Sequence, residues 1–189
     1  GYVRGLVLNK ILLNNERWPF ALDRRLHADI TIGIDVKHNT AGLLLVGPTA
    51  EFIRPVCSTS RRREKLSRDQ LAAEIYDLVS AEASHIESPI RNIMIHRDGR
   101  LCADERSGIH DAIENLRNER VLDHSTELTI IEIHKTSSLP FRLFDIESDS
   151  NSERVLNPKH GDYAIFGDTG FVCTTGQPFR QSGSVRPLQ

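Results

Sequence analysis

The chain has 189 residues, 26% of them charged, and a formal net charge of −2, a length that holds one domain with a sizeable core, or one domain plus a small part of another. That balance excludes a polycation, so any nucleic-acid contact rests on local patches, of which Arg61, Arg62, Arg63 and Lys65 form the densest. Widely spaced Cys57, Cys102 and Cys173 offer neither a disulfide framework nor zinc spacing and point to a reduced, cytosolic setting, and no apolar run has membrane-spanning length.

From Val3 to Leu13, apolar Val3, Leu6, Val7 and Ile11 read as a helix end, stopped at Asn14 and Asn15. Trp18 to His27 reads as a connector. A strand follows at Asp29–Val36, then a polar turn at Lys37, His38 and Asn39, a strand at Ala41–Val46, a turn at Gly47-Pro48 and a strand at Glu51–Cys57. Their short connections predict an antiparallel meander. The arginine-rich stretch to Lys65 reads as a solvated loop or a phosphate-contacting edge. Ser67–Ala83 places Leu71, Ile75, Leu78 and Val79 on one helical stripe, with Ser67 able to cap its start.

A strand at Asn92–His96, a helix near Arg106–Asn118 and a strand at Glu127–His134 complete a β-β-β-α-β-α-β order, an α/β layout with parallel strands added by helical crossovers. Acidic, serine-rich Asp145–Arg154 reads as a solvated loop. Two extra C-terminal strands, Tyr163–Phe166 and Phe171–Thr174, flank a hairpin turn at Gly167–Gly170. The chain opens on Gly rather than Met, without a signal peptide, and stops at what reads as a strand start, so both ends read as cut.

Two aspartates end apolar strands where more core would be expected: Asp35 in Thr31-Ile32-Gly33-Ile34-Asp35-Val36, and Asp98 in Ile93-Met94-Ile95-His96-Arg97-Asp98. A carboxylate there is costly to desolvate unless it is paired or holds a metal. In this layout the first and fourth strands are neighbours at the sheet centre, so both carboxylates fall at adjoining strand ends, where open α/β sheets bind ligands. Such a pair suits Mg²⁺ or Mn²⁺, two ions about 3.5–4 Å apart clamping a phosphodiester. Taken singly, each aspartate also reads as a strand-end turn former. A kinase catalytic loop at His96-Arg97-Asp98 is excluded, because Ala103 stands where its asparagine is required and no Asp-Phe-Gly exists.

Four segments in order carry a resemblance: Ile32-Gly33-Ile34-Asp35-Val36; Ile95-His96-Arg97-Asp98-Gly99-Arg100; Ile133-His134-Lys135 with Phe141-Arg142-Leu143-Phe144; and Cys173-Thr174-Thr175-Gly176 with Gly183-Ser184-Val185-Arg186-Pro187. Together they resemble the PIWI domain of Argonaute proteins, the prokaryotic branch above all, whose RNase H-like fold agrees with the element order. The resemblance implies residues 1–28 as the end of a MID domain and connector, and residues 29–189 as a PIWI domain truncated at its C-terminus.

It further implies a tetrad of Asp, Glu, Asp and a final Asp or His that binds two divalent metals. Asp35 and Asp98 match the two Asp positions and are the metal ligands. Glu64, just ahead of the amphipathic helix, matches the family's mobile glutamate finger; its plainer role is neutralising the adjacent arginines. Glu74, mid-helix, and Glu51, within a strand, are rivals. The fourth position falls beyond Gln189, and His160 and Asp162 match nothing, so the isolated chain is expected to be catalytically incomplete.

Lys10 matches by position the lysine that helps bind a guide 5′-phosphate, or is a solvated helix lysine. Lys135, Arg142 and Arg186 are expected on nucleic-acid phosphates, and Arg97 in a structural role. The implied function is guide-directed cleavage of a complementary target strand, DNA or RNA, in the cytoplasm, within defence against invading nucleic acid. The competing readings are a guide- and target-binding module that does not cut, and an RNase H-like nuclease or transposase without a guide. The last explains both aspartates but not the Thr174-Thr175-Gly176 and Lys135–Arg142 segments.

Overall fold

Alternate residues of β1 (Ile30–Lys37) divide between two faces: Ile30, Ile32, Ile34 and Val36 are buried, while Thr31, Gly33, Asp35 and Lys37 point the other way. A strand with one covered face requires that period of two. β2 (Thr40–Val46) repeats it with Ala41, Leu43 and Leu45 buried, and β4 (Asn92–Asp98) with Ile93, Ile95 and Arg97. With β3 (Ile53–Thr59) and β5 (Glu127–Ile133) these strands form one mixed sheet in the order β3-β2-β1-β4-β5. β2 runs against both of its neighbours, whereas β1, β4 and β5 are parallel.

Helices α1 (Arg68–Ala83) and α2 (Ala103–Asn118) cover the isoleucine face. Leu71, Ile75, Leu78 and Val79 from α1 and Ile109, Ala112, Ile113 and Leu116 from α2 join the strand side chains in one core cluster. Each large apolar side chain buried there contributes roughly 1.5–3 kcal/mol. Ser67 caps α1 by accepting from the Gln70 amide at 3.3 Å. A three-strand meander followed by two parallel strands, each reached through a helix, is the RNase H-like arrangement that the element order predicts.

The computed structural model describes residues 3, 7, 10, 21–50, 53–59, 65–86, 88–135, 143–149 and 152–174. They fall in two units, Gly1–Lys135, which holds the five-stranded sheet, and Thr136–Gln189. In the second unit β6 (Asp145–Asp149) pairs with β7 (Ser152–Leu156), and β8 (Tyr163–Phe166) with β9 (Thr169–Val172). The first of these hairpins corrects the expectation of a solvated loop over Asp145–Arg154. Pairing across the turn sets Ile146 opposite Val155, two strand-favouring residues that the polar composition around them had masked.

Several boundaries also move, among them that of β4, which runs on to Asp98 rather than ending at His96. The second hairpin turns in two residues, Gly167-Asp168, with Gly167 at φ +61°, so its return strand starts at Thr169 rather than Phe171. α2 begins at Ala103 rather than Arg106. None of Cys57, Cys102 and Cys173 is in a disulfide, and no helix among the described residues is long and apolar enough to cross a membrane.

Candidate metal centre

The ladder between β1 and β4 ends at Ile34↔Arg97, and the next residue on each strand is an aspartate. In parallel register Asp35 and Asp98 therefore project from the same sheet face, on strands about 4.8 Å apart. Across the rest of that row stand Gly42, opposite Asp35, and Ile133, opposite Asp98. Gly42 places no side chain beside Asp35. Gly99 follows Asp98 at φ +90°, a left-handed turn that glycine adopts without strain, and its amide donates to the Ile133 carbonyl at 2.8 Å. At the other strand end the carboxylate of Asp29 accepts from the Arg91 and Asn92 amides at 2.8 and 3.1 Å, which pins the β1–β4 register that brings the aspartates together.

The carboxylates are not buried, contrary to the desolvation argument made from sequence. Asp35 is exposed and the Asp98 side chain is 31% exposed, because both lie on the face that the helices leave open. Pairing, rather than burial, is what the fold supplies at this point. The nearest cation is internal: Lys135 Nζ donates to Asp98 Oδ2 at 2.6 Å. That hydrogen bond, the attraction of the Asp98 charge and a smaller pull from Asp35 hold the Lys135 ammonium above the ordinary lysine range. Lys135 thus sits within electrostatic reach of both aspartates. On the same face His96 is half-buried, and burial pushes its pKa down, which keeps the imidazole neutral at pH 7.

Beneath the site, on the helix face, Arg97 and Glu105 form an ion pair with side chains 4% and 0% exposed. The Glu105 carboxylate accepts from Arg97 Nη2 at 3.2 Å and Nε at 3.4 Å, and from the amides of Cys102 and Leu66, each at 3.1 Å. Arg97 in turn donates from Nη1 to the Asp98 carbonyl. The sequence reading missed Glu105 altogether. Its signal was a glutamate at the third helical position, which reaches back to the residue ahead of the helix, but placing the helix start at Arg106 left Glu105 outside the helix.

Of the residues singled out from sequence, the structure brings together Asp35, Asp98 and Lys135. Lys10 is an exposed helical residue. Glu74 lies mid-helix and accepts from Gln70 Nε2 at 2.9 Å. Asp162 accepts from the Lys159 amide at 2.7 Å in a local turn, and His160 is exposed. Glu51, Glu64, Arg142 and Arg186 lie outside the described residues. Among the described residues no three His, Cys, Asp or Glu side chains converge as a metal cage. Two adjacent carboxylates are still hard oxygen donors of the kind Mg²⁺ takes from protein, with waters and substrate phosphate filling the remaining positions. A donor pair of this kind suits such an ion, which Asp35 and Asp98 would hold.

No family model and no curated protein sequence matches the chain. Among solved structures it is similar to Marinitoga piezophila Argonaute in complex with a 5′-OH guide RNA, at 19% identity and a TM-score of 0.43, with 57% of this chain and 17% of that chain covered. It is also similar to Aquifex aeolicus Argonaute, at 18% identity and a TM-score of 0.45, with 80% of this chain and 20% of that one covered. The chain therefore spans at most about one fifth of either.

Proposed function

We propose that this chain is part of a guide-directed endonuclease of the Argonaute type that hydrolyses target-strand phosphodiesters with divalent metal. The observation that carries the reading is the register of two parallel strands that end side by side in Asp35 and Asp98 on an open sheet face. The four ordered motifs of the sequence agree with it. Mg²⁺ or Mn²⁺, two ions in the proposal, would supply charge neutralisation at the scissile phosphate and a more acidic water there. Asp35 and Asp98 hold those ions, and Glu64, ahead of α1, completes the ligand set. Lys10, Lys135, Arg142 and Arg186 hold phosphates of guide and target, and sequence selection falls to base pairing between the strands, as in other guide-directed systems. The setting proposed is the cytoplasm, in defence against foreign nucleic acid.

The test is cleavage of an end-labelled strand by the full-length protein, loaded with a complementary DNA or RNA guide, in Mn²⁺ and in EDTA. The expected result is a single cut in Mn²⁺ with one guide type and none in EDTA. Cutting that survives EDTA, or that ignores complementarity, would overturn the reading. One observation favours the alternative of a binding module without cleavage: Lys135 already neutralises Asp98. Guide-dependent target binding with no cut under any metal would decide for that alternative.

Lys135 offers a separate check on the metal site. A divalent ion at Asp98 must displace the ammonium, and exposed ion pairs of this kind are weak. Lys135→Met is therefore expected to tighten Mn²⁺ binding to the guide-free protein by roughly two- to five-fold, read by titration calorimetry. Unchanged or weaker binding would mean that Lys135 and the ion do not compete.

A further inference from the structure

A helix-capping glutamate needs one backbone amide and works on the surface; Glu105 does more. Its carboxylate is fully buried, and its four hydrogen bonds come from three separate stretches of chain: Leu66 ahead of α1, Arg97 on β4 and Cys102 at the start of α2. Every partner is a donor, matched to the acceptor oxygens of the carboxylate. Arg97 carries the same network to the backbone of Asp98. A buried ion pair seldom adds stability over apolar residues of the same size, because desolvating both charges offsets their attraction. Geometry is what the pair adds that apolar residues cannot.

We infer that Glu105 is a positioning residue: through Leu66 and Arg97 it locks the chain that enters α1 to the strand end that carries Asp98. This rests on the proposed nuclease reading, in which that entering chain bears Glu64, two residues before Leu66. The carboxylate touches neither metal nor substrate. It holds the backbone at Leu66 and the strand end that carries Asp98 at a fixed separation, and a displacement of about 1 Å there is enough to cost on the order of 10²-fold in rate.

The test uses the full-length protein with three variants. Glu105→Gln keeps the shape but turns an NH₂ toward donors. The double variant Arg97→Met with Glu105→Leu replaces the pair by apolar residues, and Asp98→Asn is run in parallel. In Glu105→Gln, kcat is expected to fall by at least about tenfold. Guide and target Kd should hold within about two-fold, half-saturating Mn²⁺ should rise, and deuterium exchange at the Leu66 amide should speed up by an order of magnitude or more. In the double variant the thermal midpoint is expected to return to or above that of the wild type, while slow cleavage and fast Leu66 exchange persist.

Recovery of kcat together with the thermal midpoint in the double variant would reduce Glu105 to a packing role and overturn the inference. Slow, wild-type exchange at Leu66 in Glu105→Gln would overturn it as well, independently of any cleavage assay. Cleavage that persists in Asp98→Asn would instead bring down the nuclease reading itself, so the two failures are told apart.

Discussion

Asp98→Ala is expected to lower guide-directed cleavage by on the order of 10³-fold or more while guide binding stays within about two-fold of wild type. The size follows from what a bound divalent ion contributes at a phosphoryl centre: several kcal/mol of charge stabilisation, each 1.36 kcal/mol of it a factor of about ten. With Asp98 gone, Asp35 alone cannot seat the ion. The same substitution releases Lys135, whose Nζ lies 2.6 Å from Asp98 Oδ2, and a freed ammonium attracts a phosphate backbone. Binding should therefore hold or tighten slightly, with a steeper salt dependence. Asp35→Ala should lose cleavage equally and leave the Lys135–Asp98 pair in place. Metal-dependent cutting at wild-type rate in either variant would remove both aspartates from the site.

Gly108→Ala is expected to destabilise the fold by about 1–3 kcal/mol, even though alanine favours helices over glycine by about 1 kcal/mol. A methyl group at Gly108 would sit 2.5 Å from the Arg68 carbonyl oxygen and 3.2 Å from its carbonyl carbon and Cα. These are backbone atoms of the first turn of α1, and no side-chain rotation relieves them. The helices must separate, which loosens Leu71 and Ile75 against Ile109 and Ile113 in the shared core. Overpacking therefore outweighs propensity. For a chain of this size the thermal midpoint should fall by roughly 2–4 °C per kcal/mol. An unchanged or raised midpoint would show that the α1–α2 contact yields without cost.

Much of the first unit was legible in the residues. Ile30, Ile32, Ile34 and Val36 alternate, and Leu71, Ile75, Leu78 and Val79 recur at helical spacing; both patterns are local consequences of a chain with one covered face. The order of those patterns was enough to make β1 and β4 neighbours, and so to bring Asp35 beside Asp98. The β6–β7 hairpin escaped because polar Asp145–Arg154 has little strand propensity of its own, and only pairing across the turn makes it a strand pair.

The covered face, the element order and the pairing of the two aspartates were readable from the residues alone, because each follows from periodicity along the chain or from the few topologies that short connections allow. That the carboxylates stand on the open face rather than in the core, that Lys135 reaches Asp98, and that Glu105 gathers Leu66, Arg97 and Cys102 emerged from the folded chain alone. Those three facts depend on which side chains meet across distant segments. The spacing of residues along a chain carries no record of such meetings until the sheet has set the register and the helices have closed over it.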